Sequence, residues 1–397
     1  MNTMKHNWEY KKLGDCFAYI KNGANIKQDK SNVGYPITRI ETLSNGVFNR
    51  DKVGFAGITE LGKYQQNILC DKDLLMSHIN SKTYVGRTVV YDKLGDEKII
   101  HGMNLLRLVP LDNLLSDFFQ YHTQSLSFKA AIARIRKDAV NQSSFAIGDL
   151  VKIPIPLPPL PIQQKIVAEL DKVCLIIEKK KQQLKELDNL AQAIFYDMFG
   201  DPVENEKGWE VKTMGEIGTL QRGSGLSKKD LVENGHPCIL YGQIHTRFGA
   251  FTKTHIACIP DYLVNTAKIA HTGDLIMAIT SEDVEGSCKS TAWLGNYDIA
   301  IGSDAAIFRH NQNGIYISYY TKTKAFYNEK AKFARGFKVT HISTKEIATI
   351  PIMIPPLSLQ QSFAAKIEAI EKQKELISRS IKEAQTLFDE RMDYWFD

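Results

Sequence analysis

No CxxC pair occurs anywhere in the chain. The six cysteines, Cys16, Cys70, Cys174, Cys238, Cys258 and Cys288, are scattered through 397 residues. That excludes a zinc ribbon or a dithiol redox motif and fits a reducing compartment. No run approaches the ~18 apolar residues that a membrane-spanning helix needs. The opening MNTMKHNWEYKK has no apolar stretch of the kind that leads a secretory signal. The expectation is a cytoplasmic protein with no membrane association. Catalytic motifs are also missing. No HExxH is present, and RGSGLSKK at Arg222–Lys229 has two glycines and two lysines without the GxxxxGK[ST] order of a phosphate-binding loop. No Asp/Asn-Pro-Pro-Tyr string of an amino-methyltransferase occurs, and Pro260–Asp261 has no Glu-x-Lys at nuclease spacing. The ten histidines are dispersed. We expect neither a catalytic residue nor a metal site.

What is present is ordinary globular composition, 43% hydrophobic and 10% aromatic, which excludes a disordered chain. The length suggests two or three domains, because single cores stop growing at roughly 250 residues. A net charge of +5 permits nucleic-acid binding without establishing it.

The dominant feature is an internal repeat. WEYKKLGD at Trp8–Asp15 matches WEVKTMGE at Trp209–Glu216, and IKNG at Ile20–Gly23 matches LQRG at Leu220–Gly223. YPI at Tyr35–Ile37 matches HPC at His236–Cys238. GVF at Gly46–Phe48 matches GAF at Gly249–Phe251, and DLLM at Asp73–Met76 matches DLIM at Asp274–Met277. Finally IPIPLPPLPIQQKI from Ile153 matches IPIMIPPLSLQQSF from Ile350. The order of blocks is kept end to end while the stretches between them diverge. Each copy reads as a globular part, a proline string and a helix. The implied divisions are 1–152, 153–200, 201–349 and 350–397, with the polar stretch Pro202–Gly208 as a linker into the second copy.

Behind the first proline string, apolar residues fall at Ile166, Leu170, Val173, Ile177, Leu184, Leu187, Ala191, Ile194 and Met198. Behind the second they fall at Phe363, Ile367, Ile370, Ile377, Ile381, Ala384, Phe388 and Trp395. Lys180 fills a gap in the first series, and Lys374 and Arg391 interrupt the second. Spacing that alternates four and three is the signature of a coiled-coil seam. Two such seams in one chain most simply pack on each other; the alternative is that each packs on its own globular part. The prolines cannot sit inside a helix. They favour an extended polyproline II segment that feeds a helix N-terminus, so the string reads as a stiff joint. An SH3 or WW ligand is the rival reading.

The globular parts read as α+β. Strand-like runs occur in YPITRI and DKDLLMSHI, and short helices fit 114–122, 317–327 and a basic stretch from Phe128. Phosphate contact needs Lys and Arg, whereas base edges are read by Arg, Asn, Gln, Ser, Thr and His. Such residues recur in matching places. After the DLLM strand come Ser77, His78, Asn80, Ser81 and Lys82; after DLIM come Thr280 and Ser281. Ahead of the proline strings lie Arg134, Arg136, Lys137, Asn141 and Gln142 in one copy, and Lys332, Arg335 and Lys338 in the other. Lys21, Lys27 and Arg39, together with Arg222, Ser224, Lys228, Lys229, Tyr241 and Gln243, complete the candidate set for DNA contact. Taken singly, each also reads as an exposed polar loop residue.

The whole pattern resembles the specificity subunit of Type I restriction–modification enzymes. The marks are the WExKxxGD-like start, the Asp-Leu-Leu and Gly-Asp-Leu-Ile strands at Asp73 and Gly273, and the duplicated IPxPPLxxQQ joint with a heptad helix behind it. The resemblance implies two target recognition domains held by two antiparallel helices, each domain reading half of a bipartite, asymmetric site on double-stranded DNA. Half-sites about one helical turn apart, roughly 34 Å, suit such a spacer. It also implies two modification (methyltransferase) subunits docked on the helices, with restriction (motor–nuclease) subunits added for cleavage. S-adenosylmethionine, ATP and Mg would then belong to the partners, with no cofactor in this non-catalytic chain. A methylation-only or Type II-like complex, a nuclease or transferase of unrecognised type, and a structural adapter are the alternatives.

Overall fold

The computed structural model describes residues 8–27, 33–140, 142–334 and 339–397. The chain divides into two compact units, Met1–Lys181 with Arg379–Asp397, and Gln182–Ser378. Both divisions fall inside long helices, Leu160–Phe199 and Leu357–Phe396, of 40 residues each. Each unit therefore owns half of each helix.

In the first unit a four-stranded antiparallel sheet orders Phe17–Asn22, Leu105–Pro110, Asp73–Ser77 and Thr88–Tyr91. The second unit repeats this with Gly218–Arg222, Ala305–His310, Leu275–Ala278 and Ser290–Trp293, then adds the short parallel strand Phe251–Thr252. It also carries a second, four-stranded sheet built from Ala257–Ile259, His236–Ile239, Ile299–Ile301 and Lys268–Ala270. Two short helices follow the main sheet in each unit, Ser116–His122 and Leu126–Ile135 in one, Gly314–Tyr320 and Lys324–Ala331 in the other. The single helix expected over 317–327 is broken at Thr321–Thr323, because Thr323 caps the second piece by accepting from the Phe326 N–H.

The repeated blocks pair with one another, which explains why they were kept. Tyr10–Lys12 of the first block pairs antiparallel with Pro154–Pro156 of the first proline string. Glu210–Thr213 pairs with Pro351–Ile354 in the same way. The strings were expected as stiff polyproline II joints. Their first residues are instead strands of two-stranded ribbons, where the missing proline N–H costs little. Ile155 and Ile352 on these strands are fully buried. The Asp of DLLM and DLIM is explained similarly. Asp73 accepts the Cys70 N–H at 2.6 Å and pairs with Arg107 on the neighbouring strand at 2.6 Å. Asp274 accepts the His271 N–H at 2.9 Å and pairs with Arg309 at 2.9 Å. The glycine of IKNG and LQRG lets backbones touch: a Cβ on Gly23 would lie 2.1 Å from the His101 carbonyl oxygen, and one on Gly223 2.1 Å from that of Gly302.

The Gln-Gln pairs act as clamps. Gln163 is fully buried; its carbonyl oxygen accepts the Leu115 N–H at 2.8 Å, and its amide donates to the carbonyls of Asn113 at 2.9 Å and Pro158 at 2.8 Å. Gln360 accepts the Asn313 N–H at 2.9 Å and donates to Gln312 and to the Pro355 carbonyl at 2.8 Å. Each clamp ties the start of a long helix to the entry of a short helix in the globular part.

The long helices pack on each other antiparallel within each unit. In the first unit Ile166 and Leu170 share a core with Met392, Trp395 and Phe396, and Arg391 pairs with Glu169, which also accepts from the Trp395 indole at 3.2 Å. In the second, Ala191, Phe195 and Phe199 share a core with Phe363, Ile367 and Ile370, and Lys374 reaches Asp188 at 2.8 Å. The two charges that interrupt the heptad pattern thus make cross-helix ion pairs. Val173 and Ile177 are buried, whereas Leu184, Leu187, Ile377, Ile381 and Phe388 are half-buried, as a narrow seam requires. One end departs from the heptad expectation. Phe195 and Phe199 are buried while Ile194 and Met198 are only partly so. There the helix also faces Tyr316, whose ring stacks on Phe195 at 5.9 Å and meets Phe199 at 4.8 Å. A broad core face follows the 3.6-residue period instead of the 3.5-residue one.

Pro202–Gly208, expected as a linker, terminates the first long helix. Lys207 donates to the carbonyls of Asp197 at 2.5 Å and Met198 at 3.1 Å, and the Trp209 indole donates to that of Phe199 at 2.8 Å. In the first unit the equivalent Trp8 stacks on Trp395, near the end of the second long helix, at 6.1 Å.

Candidate nucleic-acid interface

The strand–loop after DLLM and the segment ahead of the proline string come together in both units. In the first, Ile79–Asn80, Ser143–Ser144 and Lys137–Asp138 form a three-stranded sheet. In the second, Thr280–Ser281 pairs with Thr340–His341. Residues some sixty positions apart in sequence are thereby neighbours.

Each of these sheets borders a cavity, and the two cavities are built from the same parts of the repeat. The first, of about 560 Å³, is lined by Gly46, the loop Lys82–Thr88, the turn Thr123–Gln124 and the helix face of Phe128, Lys129, Ile132 and Arg136. The second, of about 800 Å³, is lined by Tyr241, His245, the loop from Thr280 to Lys289, the turn Thr321–Lys322, and Tyr327 and Lys330. In sequence, Gly46 opens the GVF block, and Tyr241 and His245 lie a few residues ahead of GAF. The loops, turns and second short helices correspond in turn.

In the first unit Arg136 is held bidentately by Asp138, at 2.6 and 3.3 Å. That carboxylate also accepts from Ser143 at 2.7 Å and lies 3.5 Å from Lys82. The Arg136 guanidinium, ahead of Ser143, holds Asp138 down at about 2. Asn80 donates to Ser77 at 3.2 Å, and Ser81 and Lys82 are exposed. Ser77 and His78 are buried, and the His78 ring nitrogen Nε2 meets the Asn22 amide at 3.0 Å. Burial lowers the His78 pKa, so this side chain shapes the loop from within. Arg134, Lys137 and Gln142 are exposed. Lys21 lies 5.4 Å from the Tyr19 ring centre, Lys27 is exposed, and Arg39 lies against Gly54. None of these three lines the cavity. Asn141, Arg335 and Lys338 lie outside the described residues.

In the second unit Thr280, Ser281 and Tyr241 line the cavity. Gln243 is turned to its own backbone, accepting from the Leu240 N–H at 3.0 Å. Arg222 donates to the Ser303 carbonyl at 2.8 Å, and Ser224 donates to that of Ile301 at 3.1 Å. Lys228 and Lys229 are exposed on a short turn, and Lys332 pairs with Glu329 at 2.6 Å. The candidate residues named from sequence leave out Arg87, Lys129, His245, Lys289, Lys322 and Lys330. Aligning the two copies through their short helices would have found Lys129, Lys322 and Lys330. Lys330 is 3% exposed and donates to the carbonyls of Glu285 at 2.9 Å and Ser287 at 2.6 Å. Burial lowers its pKa, and the contacts pin the cavity loop. Lys289 ties the same loop to the His245 carbonyl at 2.7 Å. Beside it Cys288 is fully buried, its thiol pushed up to about 12 by desolvation. Among the described residues no cluster of three or more His, Cys, Asp or Glu side chains could hold a metal ion, and no helix is long and apolar enough to cross a membrane.

Comparisons with known proteins show what the chain as a whole is similar to. The model of the Type I restriction modification DNA specificity domain matches twice, over residues 5–189 and 206–386. A putative type I restriction enzyme MjaX specificity subunit from Methanocaldococcus jannaschii is 27% identical over 98% of this chain and 94% of its own length. The EcoKI specificity subunit of Escherichia coli is 25% identical over 48% of this chain and 42% of its own length. Among solved structures, the Type I restriction-modification S subunit from M. genitalium superposes with a TM-score of 0.56 at 14% identity, covering 100% of this chain and 97% of that one. A chain from a study of complex assembly and conformational transition of the type I R-M system gives 0.57 at 17% identity, covering 98% and 97%.

Proposed function

Because the chain belongs to the family of Type I restriction modification DNA specificity domains, carried here twice, we propose that its two units read the two halves of one bipartite DNA site. The chain is the DNA specificity subunit of a Type I restriction–modification system and is not itself the catalyst. Each half-site is read at the cavity and bordering sheet of one unit. The observation that carries this reading is the recurrence of that cavity at the same place in both copies with different side chains. A shared frame with divergent lining suits two different half-sites and therefore an asymmetric target.

The length of the long helices sets the spacer between half-sites. Two modification subunits dock along these helices, and restriction subunits join them for cleavage. S-adenosylmethionine, ATP and Mg are held by those partners, and the target adenine is flipped out of the stack by the modification subunits. The assembly works on cytoplasmic DNA. Methylation mapping of the source genome tests the reading. Deleting this chain is expected to remove methylation from one bipartite motif, and a methylome unchanged by the deletion refutes it.

A further inference from the structure

The two cavities share a position in the repeat but not a charge balance. Lys82, Arg87, Lys129 and Arg136 line the first, and no carboxylate does. The second is lined by Lys289, Lys322 and Lys330, and equally by Glu282, Asp283 and Glu285. We propose that the first cavity is a phosphate-binding site for the DNA backbone and that the second is not, so the first unit carries the electrostatic grip on DNA. This rests on the specificity-subunit reading and adds which unit holds the backbone.

The first cavity is prepared for an anion in two ways. Its guanidinium groups are held in place: Arg87 lies over the Tyr84 ring at 4.2 Å and donates to the Leu43 carbonyl at 3.2 Å, and Arg136 is gripped by Asp138 at 2.6 Å. A planar donor fork fixed in advance loses little freedom on meeting a phosphate. Its ammonium groups are left to move. Lys82 is 71% exposed and only 3.5 Å from the Asp138 carboxylate, and Lys129 has no ion-pair partner among the described residues. Asp138 offsets part of this charge but does not line the cavity. The second cavity has the opposite logic. Two of its three lysines are spent on carbonyl oxygens, Lys330 on those of Glu285 and Ser287 and Lys289 on that of His245. A phosphate there would meet three carboxylates of its own sign.

Phosphate contacts are sequence-independent and release counterions, so a mixed-sequence duplex suffices as probe. The full chain, assembled with its modification subunits, is titrated against that duplex at several salt concentrations, and log Kobs is plotted against log[salt]. Lys129→Ala is expected to reduce the slope by about 0.9, and Lys82→Ala with Lys129→Ala by about 1.8. Lys152→Ala, an exposed lysine of the same unit outside the cavity, and Lys322→Ala in the second cavity are expected to leave the slope unchanged. All four positions are surface lysines, and unaltered thermal unfolding checks that each variant folds. An unchanged slope for the Lys82/Lys129 pair, or an equal drop for Lys152→Ala or Lys322→Ala, overturns the assignment while leaving the specificity-subunit reading standing. A wild-type assembly that does not bind the duplex overturns both.

Discussion

Replacing Gln163 with leucine removes the side chain that joins the first long helix to its globular part while nearly keeping its volume. Three backbone groups lose their partner: the Leu115 N–H and the carbonyls of Asn113 and Pro158. A buried polar group left unpaired costs about 1–3 kcal/mol, and a typical net hydrogen bond is about 1 kcal/mol. The bond to Pro158 is buried and the other two are part-buried, so the sum is about 3 kcal/mol. For a unit near two hundred residues, each kcal/mol moves Tm by about 2–4 °C, so the first unit should melt about 6–12 °C lower. Scanning calorimetry measures this, with the exposed neighbour Gln164→Leu as the control expected to shift little. Gln163→Glu sharpens the test. Its carboxylate accepts from Leu115 but faces two carbonyls that need donors, so the folded state favours the protonated acid and raises its pKa above the unfolded value. Stability then falls as pH rises between the unfolded and folded pKa values, and recovers in acid. A Gln163→Leu Tm indistinguishable from that of Gln164→Leu would show that the clamp is incidental.

His122 is enclosed by Phe119, Phe128 and Phe396, with both ring nitrogens unpartnered, and burial pushes its pKa down to about 4. The unfolded chain takes up this proton near pH 6.5, so stability is lost as pH falls from there towards 4, by up to about 1.4 kcal/mol per pH unit. His122→Phe should flatten that loss, read as a smaller drop in urea midpoint on acidification; an unchanged slope assigns the titration elsewhere. Phe363, fully buried against Phe195, Phe199 and Tyr319, should cost about 3–5 kcal/mol as Phe363→Ala, whereas the half-buried Ile377 should cost roughly 1–2 kcal/mol as Ile377→Ala. Equal losses in chemical denaturation would mean the seam is as deeply packed at its middle as at its end. Exchanging residues 1–150 for another recognition domain should alter one half of the methylated motif, and a change in both halves on methylome sequencing would contradict modular reading.

The repeat, the two heptad helices and the α+β class were legible because punctuation residues and apolar spacing are local signals. Their reasons were not. WEYK and IPIP were read as separate marks, yet they are two strands of one ribbon, and strand pairing across ~140 residues leaves no local trace. The proline strings were read as joints because proline cannot enter a helix; that rule does not distinguish a free extended segment from an edge strand. The heptad continued through Ile194 and Met198 on paper, while Phe195 and Phe199 were taken into the core by Tyr316 from a distant helix. For the candidate interface, polarity picked Ser77 and His78, which tertiary packing buries, and passed over Lys129, which sits beside the cavity.

By itself the sequence determined that this chain is one architecture used twice, each time ending in a helix made to pair, because periodicity and the order of repeated blocks are properties of the string. Only the tertiary structure decided which polar side chains are displayed and which are spent on the chain's own backbone. Hydrogen-bond partners such as the Glu285 carbonyl for Lys330 or the Leu115 amide for Gln163 lie some fifty residues away. A side chain buried on such partners, as Lys330 and Gln163 are, is no longer available to DNA.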